Sequence, residues 1–237
     1  MGWNASQSNR ISSMGQKNSG KAARGRLLTA LMAATMVAMA AGVSAEQRID
    51  LDSWQTKKLG DWNEKSFDGE TDYQASNSGE YLSARAENGA SALFLKREID
   101  VTKTPVLNWR WRAKEFNGAK NHLVKEEDDF PARIYVVVKN GFLPWDTLAI
   151  NYVWAGGDID KTSWPNPFTE KAIMVPVVKG EQGRGEWRQE KVNVVEDFKR
   201  LFNKDISRIA GVAIMTDADN HGGVSAADYG GIWFSDL

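Results

Sequence analysis

The chain has 237 residues, 42% of them hydrophobic, 26% charged and 10% aromatic, which excludes disordered, collagen-like and multi-span membrane proteins. Its 30 basic and 31 acidic side chains net to −1, and five of the bases precede residue 46 with no acid among them, so the rest carries 25 bases against 31 acids. That acidic balance gives no footprint for nucleic acid or anionic lipid, and the lack of cysteine removes disulfides, thiol nucleophiles and Cys-ligated metals.

Residues 1–45 read as a secretory signal peptide. Basic residues from Lys17 to Arg26 precede an apolar run from Leu27 to Ala41, and Val43-Ser44-Ala45 places small residues before a cut after Ala45. The run is about 15 residues, short of the roughly 20 that a membrane-spanning helix needs. The expected product is one exported domain over 46–237, periplasmic or extracellular, with no stable membrane anchor.

Beyond residue 46, short stretches of period-two alternation separated by Gly, Asn, Asp and Pro predict an all-β protein. Strands are expected over 63–67, 71–75, 81–86, 92–99, 106–113, 132–138, 148–154, 172–178, 186–194, 209–215 and 231–234. One short helix is expected after Asn193, which stands three residues before Glu196 in capping-box spacing; Val195, Phe198, Leu201 and Phe202 share its apolar face and Asn203 stops it. The expected architecture is an antiparallel jelly-roll-like β-sandwich with that helix on its flank.

Alternation also sorts the side chains. Leu107, Trp109 and Trp111 oppose Asn108, Arg110 and Arg112; Ile134, Val136 and Val138 oppose Arg133 and Tyr135; Ile150 opposes Asn151. The first set, with Ile214, is the expected core. If these strands are neighbours, Arg110, Arg112, Arg133, Tyr135 and Asn151 form one polar face, either a ligand groove or a solvated surface tied by cross-strand pairs.

Two acidic clusters follow. Glu126-Glu127-Asp128-Asp129 precedes Arg133, so Asp128 and Asp129 either supply ligand oxygens or one carboxylate of a hydrolytic pair, or hold Arg133 or cap a loop; the structural role is preferred. Asp217, Asp219 and Asp228 approach a calcium-loop spacing, although His221 and the strand-like flanks argue against an EF-hand. A Ca2+ site over Asp217 and Asp219, completed by Asp228 or by a carboxylate from Asp128-Asp129, therefore competes with compensation by Arg110, Arg112 or Arg133, and arginine is preferred because the calcium pattern is incomplete.

The mature chain holds Trp54, Trp62, Trp109, Trp111, Trp145, Trp154, Trp164, Trp187 and Trp233. Trp145 and Trp164 sit in Pro-rich turns and are expected to be exposed for stacking on a sugar face, whereas Trp109, Trp111, Trp154 and Trp233 are expected in the core. Nucleophile-elbow, dinucleotide and Ser-x-x-Lys patterns are missing, so a catalytic role would fall to Asp128, Asp129, Asp217 or Asp219 as acid and base.

The segments Pro105–Trp111, Asp128–Val137, Asn151–Trp154 and Met215–Asn220 together resemble a bacterial secreted family known as domain of unknown function 3047. The resemblance implies export and no particular reaction. The expected function is a non-catalytic binding domain for a glycan or another polar envelope ligand. A polysaccharide hydrolase or lyase with paired aspartates and a structural envelope protein are the alternatives.

Overall fold

In the computed structural model, the described residues are 47–236 without Lys57, Phe142, Pro144, Trp145 and Asp158. The expected leader and Trp145 therefore lie outside them. The strands are β1 Arg48–Asp50, β2 Trp62–Asp68, β3 Thr71–Ala75, β4 Leu82–Glu87, β5 Ala90–Leu95, β6 Ile99–Asp100, β7 Val106–Glu115 and β8 Ala132–Lys139. They continue with β9 Thr147–Ala155, β10 Trp164–Asn166, β11 Thr169–Lys179, β12 Arg188–Asn193, β13 Arg208–Ile209, β14 Gly211–Asp217 and β15 Val224–Ser235, with α1 Val194–Phe202 between β12 and β13.

These strands make a jelly-roll-like β-sandwich. The first sheet has six strands in the order β12-β7-β15-β4-β3 with β1 beside β15; the second has seven in the order β10-β11-β9-β8-β14-β5-β2. Pairing is antiparallel in both except between β9 and β11, which run parallel. The period-two pattern decides the inward faces. Trp109 and Trp111 of β7 meet Tyr152 and Trp154 of β9 across the sandwich at ring-centroid distances of 5.7 and 6.0 Å. Leu107, Ile134, Val136, Val138, Ile150 and Ile214 join the same core, as their alternation predicts.

The helix is set by its ends. Asn193 Oδ1 accepts from the backbone N–H of Val195 and Glu196 at 3.1 and 3.2 Å, satisfying two donors that a helix start leaves without partners. Asn203 closes α1 in the left-handed region at φ 49°. Val194 and Phe198 enter the core, and the Tyr152 hydroxyl donates to Asp197 at 2.8 Å, tying α1 to the second sheet.

Two tryptophans depart from expectation. Trp164 is buried beside Phe130, Val153 and Met174, because its Pro-rich segment pairs with β11 as edge strand β10, a place where proline's missing N–H is tolerated. Trp233 points outward from β15, half-buried under the Arg48 guanidinium at 4.2 Å. The strand carrying it extends back to Val224 through Ser225, Ala226, Ala227 and Asp228, where no apolar alternation marked it.

Candidate functional site

The expected polar face is divided by the topology. Arg110 and Arg112 lie on β7 in the first sheet, while Arg133 and Tyr135 on β8 and Asn151 on β9 lie in the second, so the five residues do not share one surface. The second group is neighbourly: Tyr135 pairs in register with Asn151 on one side and Ala213 on the other.

Around them the second sheet's outer face forms a pocket of about 270 Å³. Its floor comes from Arg133, Tyr135, Asn151 and Met215, its walls from Asp128, Asn166, Asp219 and Asn220, and Phe67 and Phe168 stand on its rim. The two phenylalanines are 53% and 55% exposed, and each carries a lysine ammonium over its ring, Lys65 at 5.0 Å and Lys125 at 5.2 Å. Exposed phenylalanine rings at the rim of a pocket with polar groups on its floor are a feature that the tryptophan content of the sequence does not reveal.

Arg133 organises the floor and is only 3% exposed. Its Nε donates to Asp217 Oδ1 at 2.9 Å and its Nη2 to Asp217 Oδ2, while Nη1 reaches Asp128 Oδ2 at 3.4 Å and Nη2 also donates to the Asp128 carbonyl at 3.2 Å. Asp217 additionally accepts from the Phe130 N–H at 3.3 Å. Asp129 takes the loop-capping role: it accepts from Asn117 Nδ2 at 2.6 Å, the backbone N–H of Asn220 and His221 at 3.0 and 2.7 Å, and Asn220 Nδ2 at 3.1 Å. Both acidic clusters thus have structural partners, and Asp128 and Asp217 share one arginine.

Asp129, Asp217 and Asp219 each place one oxygen within 4.8 Å of the others, an arrangement capable of coordinating a divalent cation such as Ca2+. Arg133 and the loop amides occupy the same Asp217 and Asp129 oxygens. Asp228 is not part of this group. It lies in the first sheet, accepts from Ser83 Oγ at 2.5 Å and Arg112 Nε at 2.6 Å, and pairs with Lys114 Nζ at 2.8 Å.

The pocket's hydrogen-bonding capacity is one-sided. Several of its donors are engaged within the chain: the Tyr135 hydroxyl on Met215 Sδ at 3.2 Å, Asn151 Nδ2 on Met174 Sδ at 3.1 Å and Asn166 Nδ2 on Asp128 Oδ2 at 3.1 Å. Among the described residues, three buried acceptor atoms of the pocket have no partner, namely Asp128 Oδ1, Asn151 Oδ1 and Asp219 Oδ1. Burial raises the Asp128 and Asp219 carboxyls above the usual carboxylate range, and Asp129 pushes Asp219 the same way. The Tyr135 phenol is pushed up to about 12, chiefly by burial, and so donates rather than ionises.

Among solved structures, the chain is similar to the Family 11 carbohydrate-binding module from Clostridium thermocellum in complex with a mixed-linked tetrasaccharide (TM-score 0.41, 13% identity, 81% of this chain and 96% of that one). It is also similar to a mutant of a family 29 carbohydrate binding module (TM-score 0.40, 7% identity, 81% and 92%). A third likeness is to the glycoside hydrolase domain of Endo-D from Streptococcus pneumoniae R6, at TM-score 0.36 and 13% identity over 74% of this chain, which spans 22% of that one. No curated protein matches the sequence. The family described as "Protein of unknown function (DUF3047)" matches residues 60–233, a span that contains the Trp-x-Trp strand, both acidic clusters and the pocket floor; the chain belongs to that family.

Proposed function

We propose that the protein is a non-catalytic domain that binds a saccharide of the cell envelope, or a similarly polar envelope component, in the pocket on the second sheet. The observation that carries this reading is the set of three buried, unpartnered acceptors beside two half-exposed phenylalanines. A buried polar atom without a partner costs about 1–3 kcal/mol, a penalty that a ligand's hydroxyl or amino donors remove. Sugar rings present such donors on their edges and apolar C–H patches on their faces, and the rim phenylalanines suit those patches.

Because the unpartnered groups are acceptors, two of them carboxylate oxygens, neutral or amine-bearing sugars fit better than acidic ones. The volume lies near the low end of ligand pockets, roughly 300–1,000 Å³, so the site grips one ring or chain end instead of enclosing an oligosaccharide.

The binding reading is favoured over hydrolysis because Asp129 and Asp217 are committed to internal hydrogen bonds, which leaves Asp128 and Asp219 as the carboxyls open to substrate. Their raised pKa values keep an acid role for one of them as the rival reading. A glycan array followed by product analysis of each hit separates the two: unchanged ligand supports binding, new reducing or unsaturated ends support catalysis, and no hit supports a structural envelope protein. Export belongs to the same proposal, and intact mass of the exported chain should give a product starting at Glu46.

A further inference from the structure

The outer face of the first sheet carries a cleft with an arginine that is unpaired among the described residues. Along β7 the outward residues include Arg110, Arg112 and Lys114, and the carboxylate facing them from β15 is the buried Asp228, which Arg112 and Lys114 both engage. Arg110 has no hydrogen bond or ion pair among the described residues. It lies instead over the Trp187 ring, with Cζ 5.0 Å from the centroid, in a cleft of about 1060 Å³.

The position of that guanidinium is built into the fold. Arg112 stacks on the same indole at 4.8 Å and on Tyr81 at 5.2 Å, and Tyr81 meets Trp187 edge-on at 5.7 Å. Trp187 reaches β15 because Gly230 offers no side chain there; a Cβ would come within 3.1 Å of Arg110 Cβ and 3.3 Å of Trp187 Cζ3. Of the other charged groups lining the cleft, Arg48 has an ion-pair partner and Asp52 and Glu80 each accept one neutral hydrogen bond. Arg48 pairs with Asp50 at 2.7 Å, Asp52 accepts from the Ile232 N–H at 3.0 Å, and Glu80 accepts from Ser78 Oγ at 3.1 Å.

We propose that this cleft is a second binding site, which takes the carboxylate of an acidic saccharide on Arg110. A planar guanidinium matches a carboxylate with two parallel N–H···O bonds, and a stacked guanidinium has already lost part of the freedom that binding would cost. Asp52 and Glu80 line the same cleft, where they repel a second anion and accept sugar hydroxyls. The ligand therefore carries an isolated acidic group on a hydroxylated framework, and the cleft has room for several rings. This site is on the opposite sheet from the proposed saccharide pocket and stands or falls separately from it.

Calorimetric titration of the exported protein with an oligogalacturonate, a neutral oligosaccharide of equal length, a sulfated oligosaccharide and inorganic phosphate tests the proposal. The oligogalacturonate should bind. Arg110→Gln should weaken it at least tenfold with an unchanged melting temperature, Arg110→Lys should recover little, and Phe168→Ala in the other sheet should leave it unaffected. Failure of the oligogalacturonate to bind, or equal binding by Arg110→Gln, overturns the site. Equal affinity for the sulfated oligomer or for phosphate overturns its assignment to a carboxylate-bearing sugar.

Discussion

Arg133 grips Asp217 with two nitrogens, Nε on Oδ1 at 2.9 Å and Nη2 on Oδ2, and both side chains are buried. Such a pair adds little over an apolar substitute, but removing one partner strands the other charge without water. Asp217→Asn should therefore destabilise the fold by about 3–5 kcal/mol, measured by urea unfolding, because the one carboxylate then left to Arg133 is that of Asp128 at 3.4 Å. A loss below about 1 kcal/mol would place Arg133 in a solvated, rearranged setting.

The same pair governs metal affinity. With Arg133 on Asp217, chelator and added Ca2+ should both leave the melting temperature of the natural protein unchanged. In Arg133→Met the oxygens of Asp129, Asp217 and Asp219 lose their cation, so Ca2+ should raise that variant's melting temperature by mass action on the folded state. Calcium stabilisation of the natural protein to the same extent would show that Arg133 does not compete.

Burial of tryptophan gives a third check. Trp111→Ala should cost about 3–5 kcal/mol, since the indole packs on Trp109 and Trp154 at the centre of the core. Trp164→Ala should also be destabilising, in contrast to the exposed role that its sequence context suggests, because it is buried against Met174 and Phe130. Equal melting curves for Trp164→Ala and the natural protein would return that residue to the surface.

The core was legible in the sequence because alternation is a local property: Leu107, Trp109 and Trp111 declare their face without reference to any neighbour. Strand adjacency is not local. Nothing in Val106–Arg112 reveals that β7 pairs with β12 and β15 and not with β8, so Arg110 and Arg112 could be given the correct orientation and the wrong companions. The same limit applies to Asp228, whose spacing from Asp217 suggests one turn but whose strand belongs to the other sheet. Phe67 and Phe168 sit among polar residues with no distinguishing pattern, and only the assembled sheet brings them to one rim.

His122 should give the protein an acid-sensitive component. Its ring is buried against Phe130 at 4.4 Å, its Nδ1–H donates to the Glu127 carbonyl at 2.9 Å, and its Nε2 accepts from the Gly156 N–H at 3.0 Å and the Gly157 N–H at 3.3 Å. Burial holds its pKa down from 6.5 to about 4. The unfolded chain therefore binds a proton before the folded one does, so this contribution is complete above about pH 6.5 and is lost as pH falls towards 4. At 1.36 kcal/mol per pH unit the gap amounts to about 3 kcal/mol. Urea unfolding at pH 7 and pH 5 should show the loss in the natural protein and a smaller slope in His122→Gln; parallel slopes would contradict it.

Equilibrium binding of neutral, amine-bearing and acidic oligosaccharides to the natural protein, compared with Phe168→Ala and Asp219→Asn, tests the pocket most directly. Neither variant touches the buried core, so both should fold. A neutral or amine-bearing ligand should bind the natural protein and weaken about tenfold in each variant, equivalent to about 1.4 kcal/mol, with acidic ligands indifferent to both changes. Absence of any neutral or amine-bearing ligand, or equal affinity across the three proteins, would contradict a saccharide site on the second sheet.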